Sequence, residues 1–210
     1  MYKLLIIIIT TFLSINSIKS QDFAPISNET TFKKAYTEKT ALTHSLKSNF
    51  IQEKSISLLE KKLVSEGLFQ FKNPDKLRIE YFKPYSYLFL MNKDQITIKN
   101  DQKQTNISTK SNKIFKMVSE ITMECVNGNV LSSKEFKISI FENNSQYMLK
   151  LIPKDKTLKS LLTEIKIYIE KTDYTVGTLE MYEVSGDFTK MIFKNRQTNI
   201  PIADEIFVVN

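Results

Sequence analysis

Residues able to do chemistry are scarce in this sequence. There is one histidine, His44, and one cysteine, Cys125. One of each cannot make an ordinary zinc site, which takes three or four nitrogen, sulfur or carboxylate donors. His44 stands beside Ser45, but a Ser–His–acid set needs a second serine and a carboxylate from elsewhere. No nucleophile-elbow sequence supplies one. Four glycines leave no Gly-rich phosphate loop. Carboxylates are the remaining option, and Glu80, Glu164, Glu170, Glu180 and Glu183 fall on expected strands. Two of them could meet as the acid and base of a hydrolase. Their alternate positions read instead as a solvated outer face. The expectation is therefore a protein that is not an enzyme, with no cofactor and no metal.

The elements around these residues are mostly strands. Within "EGLFQFKNPDKLRIEYFKPYSYLFLM", residues 66–91, apolar Phe69, Phe71, Leu77, Ile79 and Tyr81 alternate with Gln70, Lys72, Arg78 and Glu80. Period two marks strands with one face buried. That face either fills a core or lines a lipid-sized cavity, and the pattern alone leaves both open. Strands are expected at 49–57, 62–72, 76–83, 85–92, 95–100 and 104–109, then at 135–142, 146–153, 163–171, 176–184, 187–195 and 205–209. Asn73-Pro74-Asp75, Lys83-Pro84, Asn92-Lys93-Asp94 and Gly186-Asp187 supply turns. Residues 28–48 read as an amphipathic helix capped by Asn28, with Phe32, Tyr36, Leu42 and Leu46 on its apolar stripe and His44 on its solvated face. Residues 112–128 read as a second helix, ended by Gly128, in which Cys125 is a small buried hydrophobe. A short helical turn is expected near 155–164. The sum is a mainly β fold of about ten or eleven antiparallel strands with two or three short helices. A curved or barrel-like sheet, open rather than tightly closed, under a helical cover is the simplest layer arrangement for it.

Residues 1–20 stand apart. A short basic start leads into an apolar run from Leu4 to Ile15, and Ser20 precedes Gln21. This is the pattern of a secretory signal peptide cleaved near Ser20/Gln21. The alternative is an N-terminal anchor, but the run is shorter than the ~20 residues a bilayer span needs. No cysteine follows the run, so the chain itself should not be lipidated. Residues 21–210 are then expected as one domain on the far side of the membrane, in an oxidising compartment where a single cysteine forbids an internal disulfide. Loss of Lys3 and Lys19 lowers the net charge from +7 to +5. The lysines are spread along strands without a dense basic tract, which argues for a solvated face and against nucleic acid.

Two blocks of this sequence resemble the LolA family of periplasmic outer-membrane lipoprotein carriers. The first, residues 48–100, has Phe50, Gln52 and Lys54 opening a strand, Gly67 before an aromatic strand, then the turn Lys72-Asn73-Pro74 and "LRIEYFKP". The second is the closing meander "EIKIYIEKTDYTVGTLEMYEVSGDFTKMIFKNRQTNIPIADEIFVV". Together they cover roughly residues 30–209.

The resemblance implies an open, unclosed antiparallel β-barrel with a lid of two or three short α-helices over an apolar cavity. It also implies a monomeric carrier that takes acylated lipoproteins from an inner-membrane lipoprotein-releasing ABC transporter complex to an outer-membrane acceptor. Carried over by position, the cavity residues are Phe50, Phe69, Phe71, Leu77, Ile79, Tyr81, Leu88, Leu90, Ile96 and Ile98. For 85–91 both faces are apolar, so the choice of Leu88 and Leu90 over Phe89 and Met91 rests on the resemblance. Phe115, Met117, Val118 and Ile121 would form the moving lid. Proteobacterial members carry an Arg in the Lys-x-Pro turn that latches the lid. Here Asn73 stands there, so the latch is weaker, falls to Lys72 or Arg78, or is absent. Each buried methylene is worth ~0.8 kcal/mol, so three fully buried chains would exceed the ~18–21 kcal/mol at which affinity saturates. A carrier that must release its cargo should bury the chains incompletely. Two other readings on the same fold are a carrier of free or glycosylated lipid, and a binding protein that senses lipoproteins.

Overall fold

The computed structural model describes residues 22–59, 61–109, 120–121, 123–125 and 127–208. The alternating stretches form one antiparallel sheet of 12 strands. In chain order these are β1 (Ala24–Pro25), β2 (Ser45–Ile56), β3 (Lys61–Lys72), β4 (Lys76–Lys83), β5 (Tyr87–Asn92), β6 (Gln95–Asn100), β7 (Gln104–Ser108), β8 (Phe136–Glu142), β9 (Gln146–Pro153), β10 (Leu162–Glu170), β11 (Val176–Glu183) and β12 (Phe188–Thr198). Among the described residues their spatial order is β1-β8-β9-β10-β11-β12-β2-β3-β4-β5-β6-β7, with β1 and β7 at the two edges. The unclosed, mainly β architecture is the one expected, with 12 strands in place of ten or eleven. The strand not expected is β1, two residues long, which pairs with β8 through Ala24 opposite Glu142; the described part of the span 205–209 contributes none.

Helix α1 (Glu29–Ala41) begins as its sequence dictates. Asn28 Oδ1 accepts from the Thr31 amide at 2.9 Å, and Glu29 pairs with Lys33 one turn on at 2.6 Å. Its buried face is Phe32, Tyr36 and Thr40, four residues apart. The helix ends seven residues before the expected end at residue 48. Asn199, in a left-handed conformation at φ 58°, accepts from the His44 amide at 2.8 Å and donates to the Leu42 carbonyl at 3.0 Å. That contact, across 155 positions or more, takes over the backbone groups the helix would have used. The chain then enters β2 at Ser45, so Leu46 belongs to the sheet and His44 to an exposed connection.

One face of the sheet, the inner face, carries two merging apolar clusters. Phe32 and Tyr36 of α1 pack with Ile140, Leu149, Leu151, Ile165, Ile167 and Ile169. Phe50, Phe69, Phe71, Leu77, Met91, Ile96 and Met191 form the other. Leu179 touches both, which joins them into one layer. Residues 205–209, expected as a strand, are instead the 3₁₀ turn Asp204–Phe207 followed by Val208, with residue 209 outside the described residues. Among the described residues, no helix is long and apolar enough to cross a membrane.

Candidate functional site

Register decides which side chains share the inner face. Phe71 sits opposite Leu77 and Phe69 opposite Ile79 across β3–β4. Phe50 lies opposite Gly67, and Gly67 opposite Tyr81. A Cβ on Gly67 would run into the Glu80 carbonyl oxygen and the Phe50 ring. The absent side chain is what lets that ring lie across the sheet, edge-on to Tyr81 at 4.9 Å between centroids. The Tyr81 hydroxyl donates to Gln52 Oε1 at 2.8 Å. Its pKa is pushed up to about 12, mainly by burial and further by Tyr87 beside it. The structure thus brings Phe50, Phe69, Phe71, Leu77, Ile79, Tyr81, Ile96 and Ile98 together on one face.

Leu88 and Leu90 do not join them. Across β4–β5 and β5–β6, Met91 pairs with Leu77 and Ile96, and Phe89 with Ile79 and Ile98. Cross-strand partners share a face, so Phe89 and Met91 hold the inner positions and Leu88 and Leu90 point the other way. There the C-terminal segment covers them, with Ile202 and Phe207 buried against Leu90. The resemblance had given the opposite parity for β5.

The proposed latch residues serve the same outer strap. Lys72 Nζ donates to the Ile202 carbonyl at 2.8 Å and to Asp204 at 2.6 Å, and Lys76 meets Asp204 at 2.9 Å. These two lysines hold the Asp204 carboxyl below the usual carboxylate range. Arg78 donates to the Ile206 carbonyl at 2.8 Å and pairs with Glu80 at 2.9 Å. Lys72 and Arg78 therefore fasten residues 202–206 to the outer face. At Asn73 the backbone amide donates to the His44 carbonyl at 2.9 Å.

Between α1 and the inner face lies a cavity of about 240 Å³. Tyr36, Thr40 and Cys125 bound it on the helical side. Leu46, Phe69, Ile79, Leu179, Met181, Met191 and Phe193 line it from the sheet. Of the expected cavity residues, Phe69 and Ile79 line it. Phe50, Phe71, Leu77 and Ile96 lie within the packed cluster beside it. Leu179, Met181, Met191 and Phe193 were missed, although alternation along 176–184 and 187–195 was available as their signal. The Tyr36 hydroxyl, raised in pKa by burial, donates to the Cys125 carbonyl at 3.2 Å. Burial, with Glu124 adding to it, pushes the Cys125 thiol up to about 12. Neither group is set up to ionise near neutrality.

Of the expected lid, Phe115, Met117 and Val118 lie outside the described residues. Ile121 is half-buried and packs against the α1 cluster beside Cys125. The candidate carboxylates are engaged away from the cavity. Glu164 pairs with Lys150 and Lys166, and Glu180 accepts from Tyr168 at 2.9 Å. Glu170 accepts from Gln146, and Glu183 meets Lys54. Among the described residues no cluster of three or more His, Cys, Asp or Glu is placed to hold a metal ion.

A family model described as outer membrane lipoprotein carrier protein LolA matches residues 41–210. No curated protein matches. Similar solved structures include a LolA superfamily protein from Nitrosomonas europaea, at 12% identity over 84% of this chain and 97% of that one, TM-score 0.44. A putative outer membrane lipoprotein-sorting protein domain from Vibrio parahaemolyticus is 13% identical over 84% and 93%, TM-score 0.45. The lipoprotein LppX of Mycobacterium tuberculosis is 12% identical over 82% and 96%, TM-score 0.41. With its unclosed antiparallel sheet and a family match over residues 41–210, the chain belongs to the LolA family.

Proposed function

We propose that this protein is a periplasmic carrier that shields the acyl chains of lipoproteins and ferries them from the inner to the outer membrane, without catalysis. It would be exported by residues 1–20, act as a monomer, receive cargo from an inner-membrane ABC transporter complex and pass it to an outer-membrane acceptor. The observation that carries the reading is the apolar cavity between α1 and the inner face of an unclosed sheet. Ligand pockets are concave and mostly apolar, and the described residues lining this one are mainly apolar, with no cluster set up for bond-making among them.

The size of the cavity favours a second reading. Its 240 Å³ is below the ~300–1,000 Å³ of sites for drug-sized ligands. A single-chain or otherwise small lipid therefore fits with less opening than a triacylated cargo, and a carrier of free or glycosylated lipid is the alternative. Native mass spectrometry with a triacylated peptide, a phospholipid and a glycolipid separates the two. The first reading expects a one-to-one adduct with the peptide, lost in Ile79→Glu and Leu179→Glu and kept in the exposed β8 variant Lys137→Ala. Adducts with the free lipids alone would favour the second. No acyl adduct of any kind would refute both.

A further inference from the structure

The cavity is not apolar throughout. Besides Thr40 and Ser48, its polar lining includes a group where β11 begins, β12 ends and β2 begins: Thr43, Thr175, Arg196 and Thr198. Arg196 reaches it through a break in the sheet. The β12–β2 ladder slips between Lys194 and Gln197, and Asn195 takes a left-handed φ of 53°. Such a bulge re-aims the side chain it carries. Arg196 Nε donates to Thr175 Oγ1 at 2.8 Å and Nη1 to the Phe193 carbonyl at 2.8 Å. Both acceptors are neutral. No carboxylate pairs with this half-buried guanidinium among the described residues, whereas Arg78, the other described arginine of the sheet, has Glu80.

A carboxylate of this chain, Asp173, reaches the guanidinium through the Thr175 hydroxyl, which donates to Asp173 Oδ1 at 2.7 Å. A ligand's anionic oxygen bonded directly to the half-buried cation would make a stronger, charge-assisted bond than either neutral acceptor does. Of the five guanidinium N–H donors, the bonds to Thr175 and Phe193 use two, and both N–H groups of Nη2 have no acceptor among the described residues. We infer that Arg196 is the head-group residue of the cavity: it receives an anionic oxygen, carboxylate or phosphate, of an amphiphile whose acyl chain extends from Thr175 towards Leu179 and Ile79. The acyl oxygens of a lipoprotein are neutral carbonyls, which accept the same donors more weakly. The inference rests on the reading that the cavity holds acyl chains, and it adds the ligand class that the site prefers.

The probes are 11-(dansylamino)undecanoic acid and its methyl ester, titrated by dansyl fluorescence into the full-length chain and into Arg196→Met and Arg196→Lys. Wild type is expected to bind the acid about ten- to a hundredfold more tightly than the ester, the range for a hydrogen bond to a charged group. Arg196→Met should lose that preference while binding the ester within about twofold of wild type, and Arg196→Lys should restore part of it. Displacement of the acid by palmitate or by lysophosphatidic acid tells a carboxylate from a phosphate head. Equal binding of acid and ester by wild type overturns the inference, as does a preference that survives in Arg196→Met. Binding of neither probe refutes the acyl-chain cavity itself, and the inference with it. Retained ester binding in Arg196→Met separates loss of the head-group contact from loss of the fold.

Discussion

Gly67→Ala tests the packing that frames the inner face. The added Cβ would meet the Glu80 carbonyl oxygen and lie 2.7 Å from Phe50 Cε1. The carbonyl belongs to the β3–β4 ladder and cannot swing away. The ring is fully buried, with Tyr81 edge-on to it. Overpacking of this kind costs about 1–3 kcal/mol, and the entropy lost by the unfolded chain on replacing glycine returns about 0.4–1 kcal/mol. Because one of the clashes is with a fixed backbone carbonyl, the cost falls in the upper part of that range, about 2–3 kcal/mol. The net expectation is a loss of about 1–2.6 kcal/mol, which for a domain of this length lowers Tm by about 2–10 °C. Urea unfolding should show a lower midpoint with an unchanged slope, because the same surface is exposed on unfolding. Phe50→Leu supplies the second arm of a double-mutant cycle. If the ring is the crowding partner, Phe50→Leu should cost at least about 1 kcal/mol less in the Gly67→Ala background than alone. A Gly67→Ala protein as stable as wild type, or an additive cycle, would refute the reasoning.

Two further outcomes concern the chain ends. Phe207→Ala should cost about 3 kcal/mol, as for a buried aromatic truncated in a core, and open residues 200–208 to limited proteolysis. Binding in the cavity should be unchanged, since the strap lies on the opposite face; loss of binding in step with stability would contradict that placement. At the other end, Lys171 first, then the Ser27 amide and hydroxyl, hold the Glu142 carboxyl down at about 2. A depressed folded-state pKa adds stability above the unfolded value and loses it as pH falls through the folded one. Hydrogen exchange at the Ser27 amide should therefore be pH-corrected flat above about pH 5 and accelerate towards about pH 2, an acceleration that Glu142→Gln should abolish.

Much of the sheet was legible because it is amphipathic one strand at a time. Phe69, Phe71, Leu77, Ile79 and Tyr81 alternate with polar residues, so their parity follows from the pleat alone. The start of α1 was legible for the same local reason, an Asn cap with an acid in the first turn. Chemistry absent from the chain, such as a second histidine or a phosphate loop, was also plain from composition.

Tertiary structure decided whatever depended on distant partners. In β5 both faces are apolar, and the outer one is apolar because Ile202 and Phe207, far along the chain, cover it. No local pattern distinguishes that from a cavity wall, so Leu88 and Leu90 were placed on the wrong side. Helix α1 stops at Ala41 because Asn199 captures the next backbone groups, a contact invisible to periodicity. Arg196 reads in sequence as one more exposed base near the end of a strand. It faces the cavity because the β12–β2 register slips at a bulge, and a one-residue slip moves a side chain to the other face.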